Sequence, residues 1–131
     1  MDEDQELNKI LEKRLKTTIE EPTKPYNPEV LNVNNFDRVI NGTKPVIVDF
    51  YADWCAPCRS MSPIFEKMST VYNKMVFARL NVDENGEIAR RYNVFSIPTF
   101  IVFSQGKPMD ILIGGVGEKG LERFIIKNLS S

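Results

Sequence analysis

Histidine is missing altogether from these 131 residues. That removes every imidazole general base and every Ser–His or Cys–His nucleophile pair. It also removes c-type haem attachment, which needs a histidine directly after CxxC, where this chain has Arg59. A surplus of either charge is missing as well: 17 Lys and Arg against 18 Asp and Glu leave a formal net charge of −1. Nucleic-acid surfaces normally carry a basic excess, so no nucleic-acid partner is expected. No apolar run approaches the roughly 20 residues that a bilayer-spanning helix needs, so no membrane partner is expected. The opening residues, MDEDQELNK, are acidic and lack the apolar stretch of a secretory signal. Read as a whole chain, the protein is expected in the cytoplasm, where thiols are kept reduced.

Cysteine is nearly missing too. The two that occur, Cys55 and Cys58, lie together in YADWCAPCRS (51–60) with Ala56 and Pro57 between them. In a reducing compartment such a pair is rarely a structural staple; redox or metal chemistry is the stronger reading. Zinc and iron–sulfur centres usually take four Cys or His ligands, so a metal would require ligands from a second chain. No metal is expected. The plainer alternative is two small side chains buried for packing alone.

An apolar fraction of 42% over this length suits one domain with one core. Leu7, Ile10, Leu11 and Leu15 recur at three- and four-residue steps, which predicts a helix over 5–19. EEPTKPYNP (20–28) then reads as an extended tether. Residues 1–29 are therefore read as an appended helix and linker, and 30–131 as the folded domain. Within it, VLNV (30–33) predicts a short strand. Asn34 or Asn35 can cap a helix carrying Phe36, Val39 and Ile40 that Gly42 ends. PVIVDFYA (45–52) is almost continuously apolar, as in a strand covered on both faces. A helix from about Cys55 to Tyr72 follows, with Pro63 expected to kink it. MVFARLNV (75–82) predicts a strand and 87–92 a short helix. PTFIVFS (98–104), the turn QGKP (105–108) and MDILIG (109–114) predict a hairpin. EKGLERFIIKNL (118–129) predicts a closing amphipathic helix. The order β-α-β-α-β-α-β-β-α implies an α/β fold with a mixed sheet and helices on both faces.

Cys55 falls where a strand gives way to a helix. Unpaired N–H groups and the helix dipole there favour a thiolate, the reactive form of cysteine. Cys58, one turn on, can donate to that thiolate and is near enough for a disulfide. Pro57 suits the first helical turn. These positions suggest an exchange reaction without a cofactor: Cys55 attacks a substrate disulfide, and Cys58 resolves the mixed disulfide.

VDFYADWCAPCRSMSP closely resembles the active-site segment of the thioredoxin family. KPVIVDFYADWCAPC, ARLNVDEN, YNVFSIPTFIVF, the Gly114–Gly115 step and the last helix extend the resemblance over about residues 30–131, leaving 1–29 outside it. The resemblance implies the thioredoxin fold and reduction of disulfide-containing substrate proteins, with thioredoxin reductase as the electron donor and a monomeric protein. Cys55 matches the attacking cysteine and Cys58 the resolving one. Trp54 matches the tryptophan beside the site, Asp49 the buried aspartate behind it, and Pro98 the cis-proline whose loop faces the cysteines. Pro63 matches the helix-kinking proline and Gly114 the glycine of the substrate groove.

Each match has a physical rationale. Asp49 interrupts an apolar strand; burial would raise its pKa and fit it to take a proton from Cys58. Trp54 could belong to the core, but an indole directly before the attacking cysteine is better placed as an exposed platform for a substrate chain. With Pro98 cis, the Ile97 backbone could pair with an extended substrate strand. Arg59 could support the Cys55 thiolate by charge, or simply be solvated surface. The chain also departs from the family. Ala56 replaces the usual glycine before Pro57, and Tyr51 stands where many members carry tryptophan. Arg79 replaces a lysine and, unlike it, will not release a proton. Two other functions share these features: an oxidase or isomerase running the exchange in reverse, and a binding module that docks partners through the first helix.

Overall fold

Val46, Ile47, Val48 and Phe50 are apolar in near succession, so both faces of the strand that holds them need a cover. In the computed structural model, which describes residues 28–129, that strand is β2 (Val46–Tyr51), at the centre of the sheet. The helix expected over 5–19, and all but the last residue of the tether, lie outside the described residues.

Among the described residues the sheet has five strands in the order β1-β3-β2-β4-β5. These are β1 (Glu29–Val30), β3 (Val76–Asn81), β4 (Thr99–Ser104) and β5 (Lys107–Ile113) around β2. β1 and β2 run parallel to β3, while β4 runs antiparallel to β2 and β5 antiparallel to β4, so the sheet is mixed as expected. On one face Val46, Val48, Phe50, Leu80 and Phe103 pack beneath α1 (Phe36–Ile40) and α3 (Gly86–Arg91). On the other, Ile47, Phe77 and Phe100 meet Met61, Phe65 and Met68 of α2 (Ala56–Val71) and Leu121, Phe124 and Ile125 of α4 (Gly117–Leu129). Phe65 joins the layers, with its ring 5.2 Å from Phe77 and 5.8 Å from Phe100.

Three local expectations need correction. The strand expected at 30–33 stops at Val30. Leu31 still donates to the Arg79 carbonyl at 2.8 Å, but Asn32 turns the chain by accepting from the N–H groups of Asn34 (2.8 Å) and Asn35 (3.2 Å). A local side-chain acceptor here outcompetes the ladder. Asn35 does occupy the N-cap of α1 without capping it. Its Oδ1 accepts from Asn32 N–H at 2.7 Å and its Nδ2 donates to the Val30 carbonyl at 3.0 Å, so the side chain faces back along the chain. The turn at 105–108 tightens to Gln105 and Gly106, both with positive φ (51° and 83°), as in the two-residue turns that match strand twist. A side chain at 106 would also run into the Asn41 amide. β5 thus begins at Lys107, two residues early, and Pro108 sits on an edge strand where its missing N–H is tolerated. Pro63 lies inside α2, which continues through it to Val71.

Phe65→Ala is expected to cost about 3–5 kcal/mol, because the ring bridges sheet and helix in a filled core. Ile126→Ala, at a side chain 50% exposed, should stay within about 0.5 kcal/mol. Urea unfolding midpoints of the two variants check this contrast.

Candidate redox site

β2 delivers the chain to the site. After Tyr51 come buried Ala52 and a turn through Asp53 and Trp54, and Cys55 takes the N-cap of α2 with extended backbone (φ −86°, ψ 111°). The cap is made by sulfur: Cys58 N–H donates to Cys55 Sγ at 3.2 Å. Arg59 N–H bonds the Cys55 carbonyl at 3.1 Å, closing the first turn, and Pro57 fills a first-turn position whose N–H would otherwise be orphaned. Cys55 and Cys58 are joined as a disulfide, with Cα atoms 5.2 Å apart. Cys55 is 5% exposed and Cys58 1%, so the first sulfur lies nearer the surface.

Two further segments close on this helix start. The Ile97–Pro98 peptide is cis, and the Ile97 carbonyl oxygen lies 3.8 Å from Cys55 Sγ. In the disulfide that sulfur carries no proton, so this is a contact; it becomes a hydrogen bond only in the thiol form. Gly114 (φ 104°) donates its N–H to the Pro98 carbonyl at 2.8 Å, which fixes the end of β5 beside the proline loop. A Cβ on Gly115 would stand 3.3 Å from Pro57 Cβ, so that backbone lies against the motif itself. Trp54 is 68% exposed, and its indole N–H donates to Asp83 Oδ2 at 2.8 Å. Arg59 donates to the Asp53 carbonyl at 2.8 Å, on the exposed side of the turn.

Earlier on the same strand that leads to the motif, Asp49 of β2 has no exposed surface. Arg79, its register partner on β3, places Nε 3.6 Å from Asp49 Oδ2, close enough to attract but too long for a hydrogen bond. Among the described residues neither carboxylate oxygen has a hydrogen-bond partner. Burial pushes the Asp49 pKa up to about 7, against the opposing pull of the Arg79 charge. The guanidinium carbon of Arg79 lies 4.0 Å from the centre of the Tyr51 ring. An open cleft of about 550 Å³ runs here, lined by Tyr51, Cys58, Arg59 and Arg79 among others.

Sequence reasoning gathered Cys55, Cys58, Trp54, Ile97, Pro98 and Gly114, and the structure brings these together. Ala56 and Pro57 lie within the motif, Arg79 and Pro63 line the cleft with Cys58, and Asp49 stands against Arg79. Two contributors escaped it. Asp83 anchors Trp54 from a loop whose only signal was its place in ARLNVDEN. The Tyr51–Arg79 stack was visible only through strand register: placing VDFY beside ARLN sets Asp49 against Arg79, and Tyr51 follows on the same face.

The Thioredoxin family model matches residues 27–127. A thioredoxin from Alicyclobacillus acidocaldarius is 46% identical over 89 residues, covering 67% of this chain and 85% of that protein. A bifunctional thioredoxin reductase/thioredoxin from Mycobacterium leprae is 41% identical over 96 residues, covering 72% of this chain and 21% of that one. The solved thioredoxin of Malassezia sympodialis superposes with a TM-score of 0.73 at 33% identity, covering 77% of this chain and 90% of the other.

The buried carboxyl has a measurable effect on stability. Its pKa is near 3.8 when unfolded and about 7 when folded, so the folded state favours its protonated form. The cost of ionising it is absent below the unfolded value, grows as pH rises, and levels off above the folded value at roughly 4 kcal/mol. Asp49→Asn should therefore stabilise the protein by up to about 4 kcal/mol at pH 8, with the gain fading towards pH 4. Guanidinium unfolding across that range checks both sign and window.

Proposed function

The chain belongs to the thioredoxin family, protein-disulfide oxidoreductases that work by dithiol–disulfide exchange, and on that premise we propose how its residues divide the reaction. The observation that carries the reading is the sulfur N-cap: Cys55 Sγ receives an N–H bond at a helix start, with Cys58 one turn behind it. In the dithiol form this setting favours the Cys55 thiolate.

The Cys55 thiolate attacks one sulfur of a substrate disulfide. A Cys55–substrate bond forms, the substrate S–S bond breaks, and the departing thiolate takes a proton. Cys58 then gives its proton to the Asp49 carboxylate and attacks Cys55 Sγ. The Cys55–Cys58 bond forms, the mixed disulfide breaks, and the second substrate thiolate leaves. The substrate has gained two electrons and the protein has lost two. The disulfide described above is the product of this half-cycle.

Trp54, Ile97, Pro98 and Gly114 form the docking rim. The indole anchored to Asp83 offers a platform, and the Ile97 backbone offers a partner to an extended substrate strand. Ala56 and Pro57 set the stiffness of the four-residue ring, Pro63 shapes α2, and Arg79 balances the Asp49 charge. Electrons for the next cycle come from thioredoxin reductase, a reading supported by the Mycobacterium leprae relative whose name joins both activities. We place the protein in the cytoplasm as a monomer acting on disulfide-containing proteins, with residues 1–29 appended to the exchange domain at 30–131. No described helix is long and apolar enough to cross a membrane.

Two experiments test this division. Cys58→Ser is expected to accumulate a mixed disulfide with a substrate protein such as insulin, seen on a non-reducing gel. Cys55→Ser should form no adduct and leave insulin unreduced. Asp49→Asn should slow the resolving step by about a hundredfold at neutral pH, the usual contribution of a positioned base. The wild-type rate should rise with pH around 7 and the variant's should not. An unchanged profile between pH 6 and 9 would remove Asp49 from the reaction.

A further inference from the structure

Arg79 has two neighbours that pull it in different ways. On one side Asp49 Oδ2 is 3.6 Å from its Nε; on the other, the Tyr51 ring lies 4.0 Å from the guanidinium carbon. The Arg79 side chain is about one-fifth exposed and lines an open cleft, so solvent competes for it. Arg79 Nε makes no hydrogen bond among the described residues. No bidentate fork therefore holds the guanidinium against the carboxylate. The flat face of Tyr51 is the surface that keeps a long, cleft-lining side chain turned inwards.

We propose that Tyr51 is a positioning residue for the exchange reaction: by stacking on Arg79 it fixes a permanent positive charge beside Asp49. This rests on the reading that Asp49 accepts the Cys58 proton. A lysine could deliver the same charge but offers no planar group to stack, and it could shed its proton. Arginine on tyrosine makes the charge both constant and fixed in place.

The surroundings leave Arg79 in control. Asp49 is paired in register with apolar Phe100 of β4 and with Arg79 of β3. From α2, Cys58 faces the same cleft, with Arg59 and Glu66 also on its walls and Asp53 at its rim. Of these charges, only Arg79 contributes to the Asp49 shift. Freeing the guanidinium to swing into the cleft would weaken the one attraction that favours the carboxylate. Asp49 would then hold its proton to higher pH.

The test is a titration of the Asp49 carboxyl carbon by NMR in the reduced, full-length protein, together with the pH profile of mixed-disulfide resolution. Tyr51→Leu should move both midpoints up by about one pH unit, the lower end of what a nearby opposite charge contributes. Resolution at pH 7 would then fall about fivefold. Tyr51→Phe, which keeps the ring, should match wild type. Arg79→Gln should shift at least as far as Tyr51→Leu, and the double variant should go no further than Arg79→Gln alone. Tyr51→Ile gives a β-branched strand substitute with the same expected shift, should the leucine variant fold poorly. A Tyr51→Leu midpoint that stays put, or moves down because water now reaches Asp49, overturns the proposal. So does a Tyr51→Leu effect on rate that persists in an Asp49→Asn background. The carboxyl titration is independent of whether Asp49 takes the Cys58 proton, so failure of that reading shows separately, as unchanged kinetics in Asp49→Asn.

Discussion

A sulfur atom occupies the N-cap of α2, the place where a helix ordinarily puts a serine or aspartate oxygen. The same bond from Cys58 N–H therefore starts the helix and cradles the reactive atom. Much of the molecule serves to hold that point still. β2 is clamped between β3 and β4 and brings Cys55 to the end of the sheet. Met61, Phe65 and Met68 nail α2 to the sheet beneath it. The proline loop and the end of β5 are tied to each other by Gly114 N–H and the Pro98 carbonyl, and the Gly115 backbone lies against Pro57.

Behind the sulfur the design reverses. A fully buried carboxyl in a central strand works against stability, and neither of its oxygens finds a hydrogen bond among the described residues. An apolar residue at position 49 would suit the fold better. Retaining a carboxyl makes sense as chemistry, since burial lifts its proton affinity to about neutral. Arg79 keeps that lift within bounds. Adjacent residues of one strand thus differ sharply, with Val48 and Phe50 packed in the core and Asp49 burying a carboxyl between them.

Much of this was legible in the sequence because the strongest signals were periodic or compositional. The apolar run at 45–52 and the helical spacing of Met61, Phe65 and Met68 each had one good physical solution, and the isolated CxxC became specific through the residues around it. The misreadings share a cause. At Asn32 and Asn35, short polar side chains chose between backbone partners within a few residues, and composition does not say which partner wins. At Gln105, a residue with no special turn preference took a left-handed conformation because the strands on either side fixed the register. Asp83 and Tyr51 act through contacts that depend on which strand lies beside which, and that appears only once the sheet is assembled.

The Trp54–Asp83 contact has one more consequence. Trp54 is the sole indole in the chain, sits directly before Cys55, and is tied to Asp83 by one hydrogen bond. Indole emission, excited at wavelengths that the four tyrosines do not absorb, therefore originates beside Cys55 and not from a distant reporter. The protein thus carries an optical gauge next to the Cys55–Cys58 pair, one that needs no label.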